Sequence, residues 1–144
     1  MSAEENMELM QTLDDAWNAQ DWDTFDSRHA PDVKVTWPGN ESATEGRHDH
    51  RAEGVAFFKM ASDNQVSNRP YRVFFASGEW TCSISRLTGT MTGPLVLADG
   101  TEIPPTGKPF SVDFCTVAHW VDGLIVEENL FYDLVGFMSQ VGIS

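Results

Sequence analysis

Between Asp113 and Asp133 the chain gathers Asp113, Cys115, His119, Glu127, Glu128, Asn129 and Asp133 among strongly apolar neighbours. A carboxylate facing an apolar pocket is the ordinary means of taking a proton from carbon. An imidazole beside it, with an unperturbed pKa near 6.5, can polarise a carbonyl or relay that proton. Which of these groups act together depends on the strand register. Residues on either side of Asp122-Gly123 are rich in β-branched and aromatic types, so the segment reads as a long antiparallel hairpin. A two-residue turn pairs Val121 with Leu124. A type I turn with Gly123 in a left-handed bulge pairs Trp120 with Leu124, and Val-Asp-Gly suits it better. That register puts Asp113, Cys115, Val117 and His119 on one face with Glu127, Asn129, Phe131 and Asp133. The expectation is that this face walls a pocket. The opposite face, with Val112, Phe114, Ala118, Trp120, Val126, Leu130 and Tyr132, is too apolar to meet water and is expected to form a homodimer interface.

Asp133 has a competing reading. Leu134, Phe137, Met138 and Val141 follow at helical spacing, so Asp133 is also placed to cap that helix through the amide of Val135 or Gly136. The two roles pull apart physically: a cap is held charged by amides, whereas a proton shuttle gains from surroundings that raise its pKa. His48-Asp49-His50 puts two imidazoles on one side of an extended segment, the start of a metal site, but no third ligand follows at fitting spacing. Asp49 or His50 capping the next helix is the preferred reading, and no metal is expected. Among five tryptophans, Trp37 at the end of its strand is the one placed to touch a flat substrate. The stretch GTMTG, Gly89–Gly93, lacks the lysine and strand-to-helix setting of a phosphate loop.

The elements that must position these groups follow in order. Leu9, Leu13, Ala16 and Trp17 give one apolar stripe to a helix over 4–19. Asp21 caps a shorter helix with Trp22, Phe25 and His29 inward, ending before Pro31. Residues 33–37 alternate as a strand stopped by Pro38-Gly39, and 40–50 read as a polar loop. A third helix is expected over about 51–62, with Val55, Phe58 and Ala61 inward. Strands are expected at 71–76 and 79–92. Residues 93–109 carry too many Gly and Pro for a central strand and read as a connection with an Asp99-Gly100 turn. Helices first and antiparallel strands last make an α+β pattern.

A chain of 144 residues is one domain by size, here 1–144, long enough to bury about two-thirds of its unfolded surface. A net charge of −13 has the wrong sign for phosphate backbones or anionic membranes, so neither nucleic acid nor a membrane is an expected partner. The opening MSAEENMELM has no basic segment leading into an apolar core, which makes the cytoplasm the expected location. Cys82 and Cys115 fall inside strands and fit reduced thiols.

The segments DDAWNAQDWDTFDSRHAPDVKVTWPG, RLTGTMTG, IPPTGKPF and VDGLIVEENLFYDLVGFMSQVG, in this order, resemble the SnoaL-like polyketide cyclases of the NTF2-like superfamily. The resemblance implies an α+β cone: three N-terminal helices packed on a curved, mostly antiparallel sheet, a pocket between them, and a dimer through the sheet's outer face. It implies an intramolecular aldol closure with no metal or organic cofactor. It also implies an acid/base aspartate at the end of the last strand and a histidine on the preceding one, positions held by Asp133 and His119. The expected function is a cofactor-free acid/base enzyme, an aldol-type cyclase, lyase or isomerase, acting on a small to medium carbonyl compound. Trp37, Val117, Glu127, Asn129 and Phe131 would contact that substrate. The fold leaves two alternatives open: a non-catalytic ligand-binding or dimerisation module, and a hydrolase or dehydratase whose water Asn129 and Glu127 would hold. Residues 40–50 depart from the family's usual short connection.

Overall fold

The computed structural model describes residues 1–143. Helix α1 (Ala3–Ala19) starts at a capping box in which Ser2 and Glu5 satisfy each other's backbone amides, and it buries Met10, Leu13 and Ala16. Asp21 caps α2 (Trp22–Ser27) by accepting from the Thr24 amide. Strand β1 (His29–Thr36) follows, then β2 (Thr44–Glu45), α3 (Arg47–Met60) and β3 (Gln65–Val66). The remaining elements are β4 (Val73–Ser77), β5 (Trp80–Thr90), β6 (Leu95–Val96), β7 (Glu102–Ile103), β8 (Pro109–Val121), β9 (Leu124–Phe131) and α4 (Leu134–Gln140).

Seven strands make one curved, unclosed sheet in the order β2-β1-β9-β8-β5-β3, with β4 also on β5. Among the described residues only β1 and β9 run parallel; the other pairings are antiparallel. This is the expected α+β cone, with helices α1–α3 packed in the sheet's concavity and α4 added at the C-terminus. One core cluster joins Met10, Leu13, Phe25, Val33 and Val35 to Trp120 and Ile125. A second, under α4, joins Met60, Leu87, Met91 and Phe110 to Phe137 and Val141. The close fit of α3 against α1 and α2 depends on Gly54, where a Cβ would lie 2.8 Å from the Trp22 ring and 3.0 Å from Trp17. Among the described residues no helix is long and apolar enough to cross a membrane.

Several boundaries differ from the sequence reading. His29 begins β1 instead of ending α2, because the α2 cap is already reached at Arg28. Helix α3 begins at Arg47, four residues early, and its N-cap is Gly46 with no side-chain bond. His48, Asp49 and His50 therefore occupy its first turns, so neither Asp49 nor His50 caps it. The supposed loop 40–50 contains β2, and the 93–109 connection folds into the β6–β7 hairpin. Its Asp99-Gly100 turn is as expected, with the Asp99 carboxylate accepting from the Thr101 amide.

The hairpin turn is the consequential correction. Asp122 and Gly123 both have positive φ, 50° and 79°, and the turn pairs Val121 with Leu124, so it is the two-residue form. A bulge one step further inserts Val126, after which His119 faces Glu127, Val117 faces Asn129 and Cys115 faces Phe131. The grouping by faces survives, but the faces are exchanged. Val112, Ala118, Trp120 and Leu130, assigned above to a dimer interface, are 0–5% exposed in the core. Asp113, Glu127 and Phe131 lie on the outside. Burying the face with Trp120, Phe114 and Leu130 removes far more apolar surface from water, and that decides the orientation.

Candidate active site

The concave face encloses three ionisable groups that meet at a cavity of about 50 Å³. Glu128, on β9, points inward because its neighbours Leu130 and Ala118 do. It is 3% exposed. Its Oε1 lies 2.8 Å from Nε2 of His50, and its Oε2 lies 3.4 Å from Nε2 of His29. His29, fully buried at the start of β1, directs its Nδ1 to the Phe25 carbonyl at 2.7 Å. His50 is one helical turn from Glu53, whose Oε1 lies 3.1 Å from its Nδ1. That same Oε1 accepts from the Trp37 indole N–H at 2.9 Å, and Oε2 accepts from the Thr44 hydroxyl at 2.7 Å. A continuous polar chain thus runs from Trp37 through Glu53, His50 and Glu128 to His29.

Burial pulls the His50 proton affinity down, but the carboxylates of Glu128 and Glu53 outweigh it and lift the pKa to about 9. Burial alone would push Glu128 up. His29 and His50 beside it hold its carboxyl well below the usual carboxylate range instead. His50 is therefore a cation at neutral pH and Glu128 an anion. The nitrogens of His29 and His50 and a Glu128 oxygen lie within 4.8 Å of one another, a donor set that suits a divalent ion. The 2.8 Å His50–Glu128 separation is instead a hydrogen-bond length; two ligands each about 2.1 Å from one ion stand about 3 Å or more apart.

The third group is Asp14 of α1, which faces the cavity with Met10, Leu13 and Trp17 of the same helical face. The Tyr71 hydroxyl lies 2.6 Å from its Oδ2 and 3.2 Å from the Met10 carbonyl. Burial raises the Asp14 pKa to about 7, against the opposing effect of the Tyr71 bond and with help from the nearby Glu128 charge. Tyr71 suits both states of Asp14. Its O–H donates to the ionised carboxylate, and when Asp14 is protonated it can turn to Met10 and accept from the acid. Thr116 on β8 brings a hydroxyl to the same cavity, and Trp37, Phe57, Phe114 and Leu130 supply apolar wall.

Of the residues read from the sequence as site residues, Trp37 reaches this cavity and the others lie elsewhere. Asp133 is exposed and caps α4, its Oδ1 accepting from the Gly136 amide at 2.8 Å. His119 stacks on Trp80 across the outer face, with ring centroids 4.7 Å apart and 10° between planes, and its Nε2 lies 3.1 Å from Glu79. Glu127 accepts from the Asn129 amide at 2.9 Å, and Asn129 accepts from the Thr36 hydroxyl, again outside. Phe131 is 54% exposed, and Val117 sits half-buried opposite Cys82. The five share the outer side because the hairpin faces are exchanged; Asp133 lies beyond the strand end. Cys82 and Cys115 are free and half-buried there too.

Asp14, His29, His50, Glu53 and Glu128 were missed as a set. Asp14 had a signal, since it interrupts the Met10–Leu13–Trp17 stripe at i+4 and i−3. His50 and Glu53 had one only if α3 is started at Arg47, which the glycine N-cap conceals.

With this geometry in view, the likeness to known proteins becomes specific. The family model for SnoaL-like polyketide cyclases matches residues 7–141. A protein from Jannaschia sp. CCS1 described as a SnoaL-like polyketide cyclase superposes with a TM-score of 0.85 at 26% identity, over 99% of this chain and 94% of that one. TsrD from Streptomyces laurentii has a TM-score of 0.81 at 22% identity, over 100% and 99%. A Catenulispora acidiphila protein with a ketosteroid isomerase-like fold, solved with trimethylamine, gives 0.76 at 15%, over 95% and 94%; these last two likenesses are of fold. No protein of curated function matches the sequence significantly.

Proposed function

The chain belongs to the SnoaL-like polyketide cyclase family, and from that premise we propose that it is an acid/base enzyme, a cyclase or isomerase, whose reaction runs in the inner cavity on an enolisable carbonyl compound. The observation that carries this reading is the pairing of Asp14 and His50 around one apolar cavity. One group exchanges a proton near neutrality, and the other is cationic there. Asp14 takes a proton from the carbon next to the carbonyl, and the C–H electron pair moves into the enolate. The His50 imidazolium, held between Glu53 and Glu128, supplies positive charge near the enolate oxygen, and the Thr116 hydroxyl can donate to it. In a cyclisation the enolate carbon then attacks a second carbonyl, and protonated Asp14 returns its proton to the new alkoxide. In an isomerisation the proton returns to a different carbon. Glu128, held anionic beside the two imidazoles, serves as the counter-ion of His50 and is too weak a base for the first step.

The test is Asp14→Asn assayed against enolisable ketones and β-keto esters. Turnover should fall about 10²–10⁴-fold with the fold retained, the usual effect of losing a positioned proton-transfer group. Wild-type kcat/KM should rise with pH through about 7, as Asp14 ionises, and fall through about 9, as His50 loses its proton. An Asp14→Asn protein with full turnover would remove Asp14 from the mechanism.

The homodimer reading passes to the outer face of the sheet. Phe75, Trp80 and Phe131 are 56%, 39% and 54% exposed there, a spread of aromatic surface that a second copy would cover.

A further inference from the structure

The inner cavity, of about 50 Å³, is less than a tenth the size of its neighbour. A cleft of about 570 Å³ lies against it, between α3, α4 and the β6 region, within the size range of ligand sites. Leu95, Leu97, Tyr132, Leu134, Phe137 and Met138 give it an apolar wall. Two side chains line both spaces and so form the partition, Trp37 and Phe57.

They are anchored differently. Phe57 sits within α3, with ring centroids 5.9 Å from Trp17 and 6.3 Å from Phe110. Trp37 stands just past the end of β1, before Pro38 and Gly39, and its ring contacts with His50 and Phe114 are both at 6.2 Å. The indole N–H is tethered to Glu53, and Glu53 itself opens onto the cleft.

We propose that Trp37 and Glu53 form a latch between cleft and cavity, and that the latch selects a ligand with an apolar body for the cleft and a planar, oxygen-bearing head that displaces the Trp37 indole to reach Asp14. The proposal rests on the inner cavity being the reaction chamber. Its test reads binding and not turnover, so it fails separately from the catalytic reading.

The probe is 2-naphthol, which presents one oxygen on a flat apolar body as an enol does, followed by stopped-flow fluorescence and calorimetry. When a latch is shut in the free protein, association slows and affinity falls by the fraction open. Trp37→Phe keeps an aromatic wall without the N–H. Association should quicken and binding tighten together, by about 3- to 10-fold, with dissociation little changed. Glu53→Gln leaves a neutral acceptor for the indole and should give a smaller rise, about 2- to 3-fold. Thr44→Val removes the bond to the Glu53 oxygen that the indole does not use, leaves the His50 contact in place, and should bind as wild type does. Unchanged or slower association in Trp37→Phe would overturn the latch, as would an equal effect of Thr44→Val. Failure of the wild type to bind 2-naphthol at millimolar concentration would overturn the ligand class.

Discussion

Glu127 and Glu128 follow one another on β9, yet one lies in solvent beside Asn129 and the other is 3% exposed between two imidazoles. Strand alternation sends them to opposite faces, and everything else about them follows from that. On the outer face Glu127, Asp113 and His119 find exposed surface partners: Asn129 for Glu127, Arg72 and Arg86 for Asp113, and Glu79 for His119. Such pairs are weak and screened. On the inner face a buried carboxylate must be compensated, and Glu128 meets the His50 cation from α3 with the His29 ring of β1 beside it. One residue type in one segment thus becomes solubilising on one side and a structural and electrostatic centre on the other.

Beyond the loss of turnover expected for Asp14→Asn, the widest contrast in stability should come from truncating the two glutamates. Glu128→Ala leaves the buried His50 cation without this counter-charge, and chemical denaturation at pH 7 should show a loss of about 3–5 kcal/mol. Glu127→Ala should cost less than about 0.5 kcal/mol. Equal losses would break the distinction between the faces.

The same inner groups set how stability changes with pH. The folded His50 pKa is raised from 6.5 to about 9, so its contribution is complete below 6.5 and is lost as pH rises through about 9. Asp14, raised from 3.8 to about 7, contributes fully below 3.8, and that contribution is lost as pH rises through about 7. Glu128 is depressed, so its contribution is present above its ordinary value of 4.5 and is lost as pH falls below the usual carboxylate range. Thermal unfolding should therefore show Tm declining from pH 6.5 to 9. Asp14→Asn should remove the lower part of that decline, and a wild-type Tm flat across the interval would count against the inner charge set.

Smaller effects belong to the outer face. Trp80→Ser with Phe131→Ser should lower the sedimentation mass at micromolar concentration from dimer to monomer. A wild-type protein already monomeric there would end the dimer reading. Least of all, Asp133→Asn should change stability by less than about 1 kcal/mol, since Asn caps nearly as well, and should leave turnover intact. A large loss of turnover would return catalysis to the strand end.

The sequence by itself determined the α+β class, the helix cap at Asp21, the long hairpin about Asp122-Gly123 and the family. Those features rest on local chemistry: side-chain oxygens beside free amides, alternation of period two, and positive φ at a turn. Alternation sorted the hairpin residues into two sets that hold apart from Val126, which falls in the bulge. Which set faced the helices was beyond it, because a one-residue bulge and the competing burial of whole faces are settled between strands. The Asp14–His50–Glu128 grouping was decided only in three dimensions. Its members lie on α1, α3 and β9, and His50 is 78 residues from Glu128. No local spacing relates them; they meet because a curved sheet folds over its helices, and a buried carboxylate at that meeting point is stable only with a cation and hydrogen-bond donors beside it.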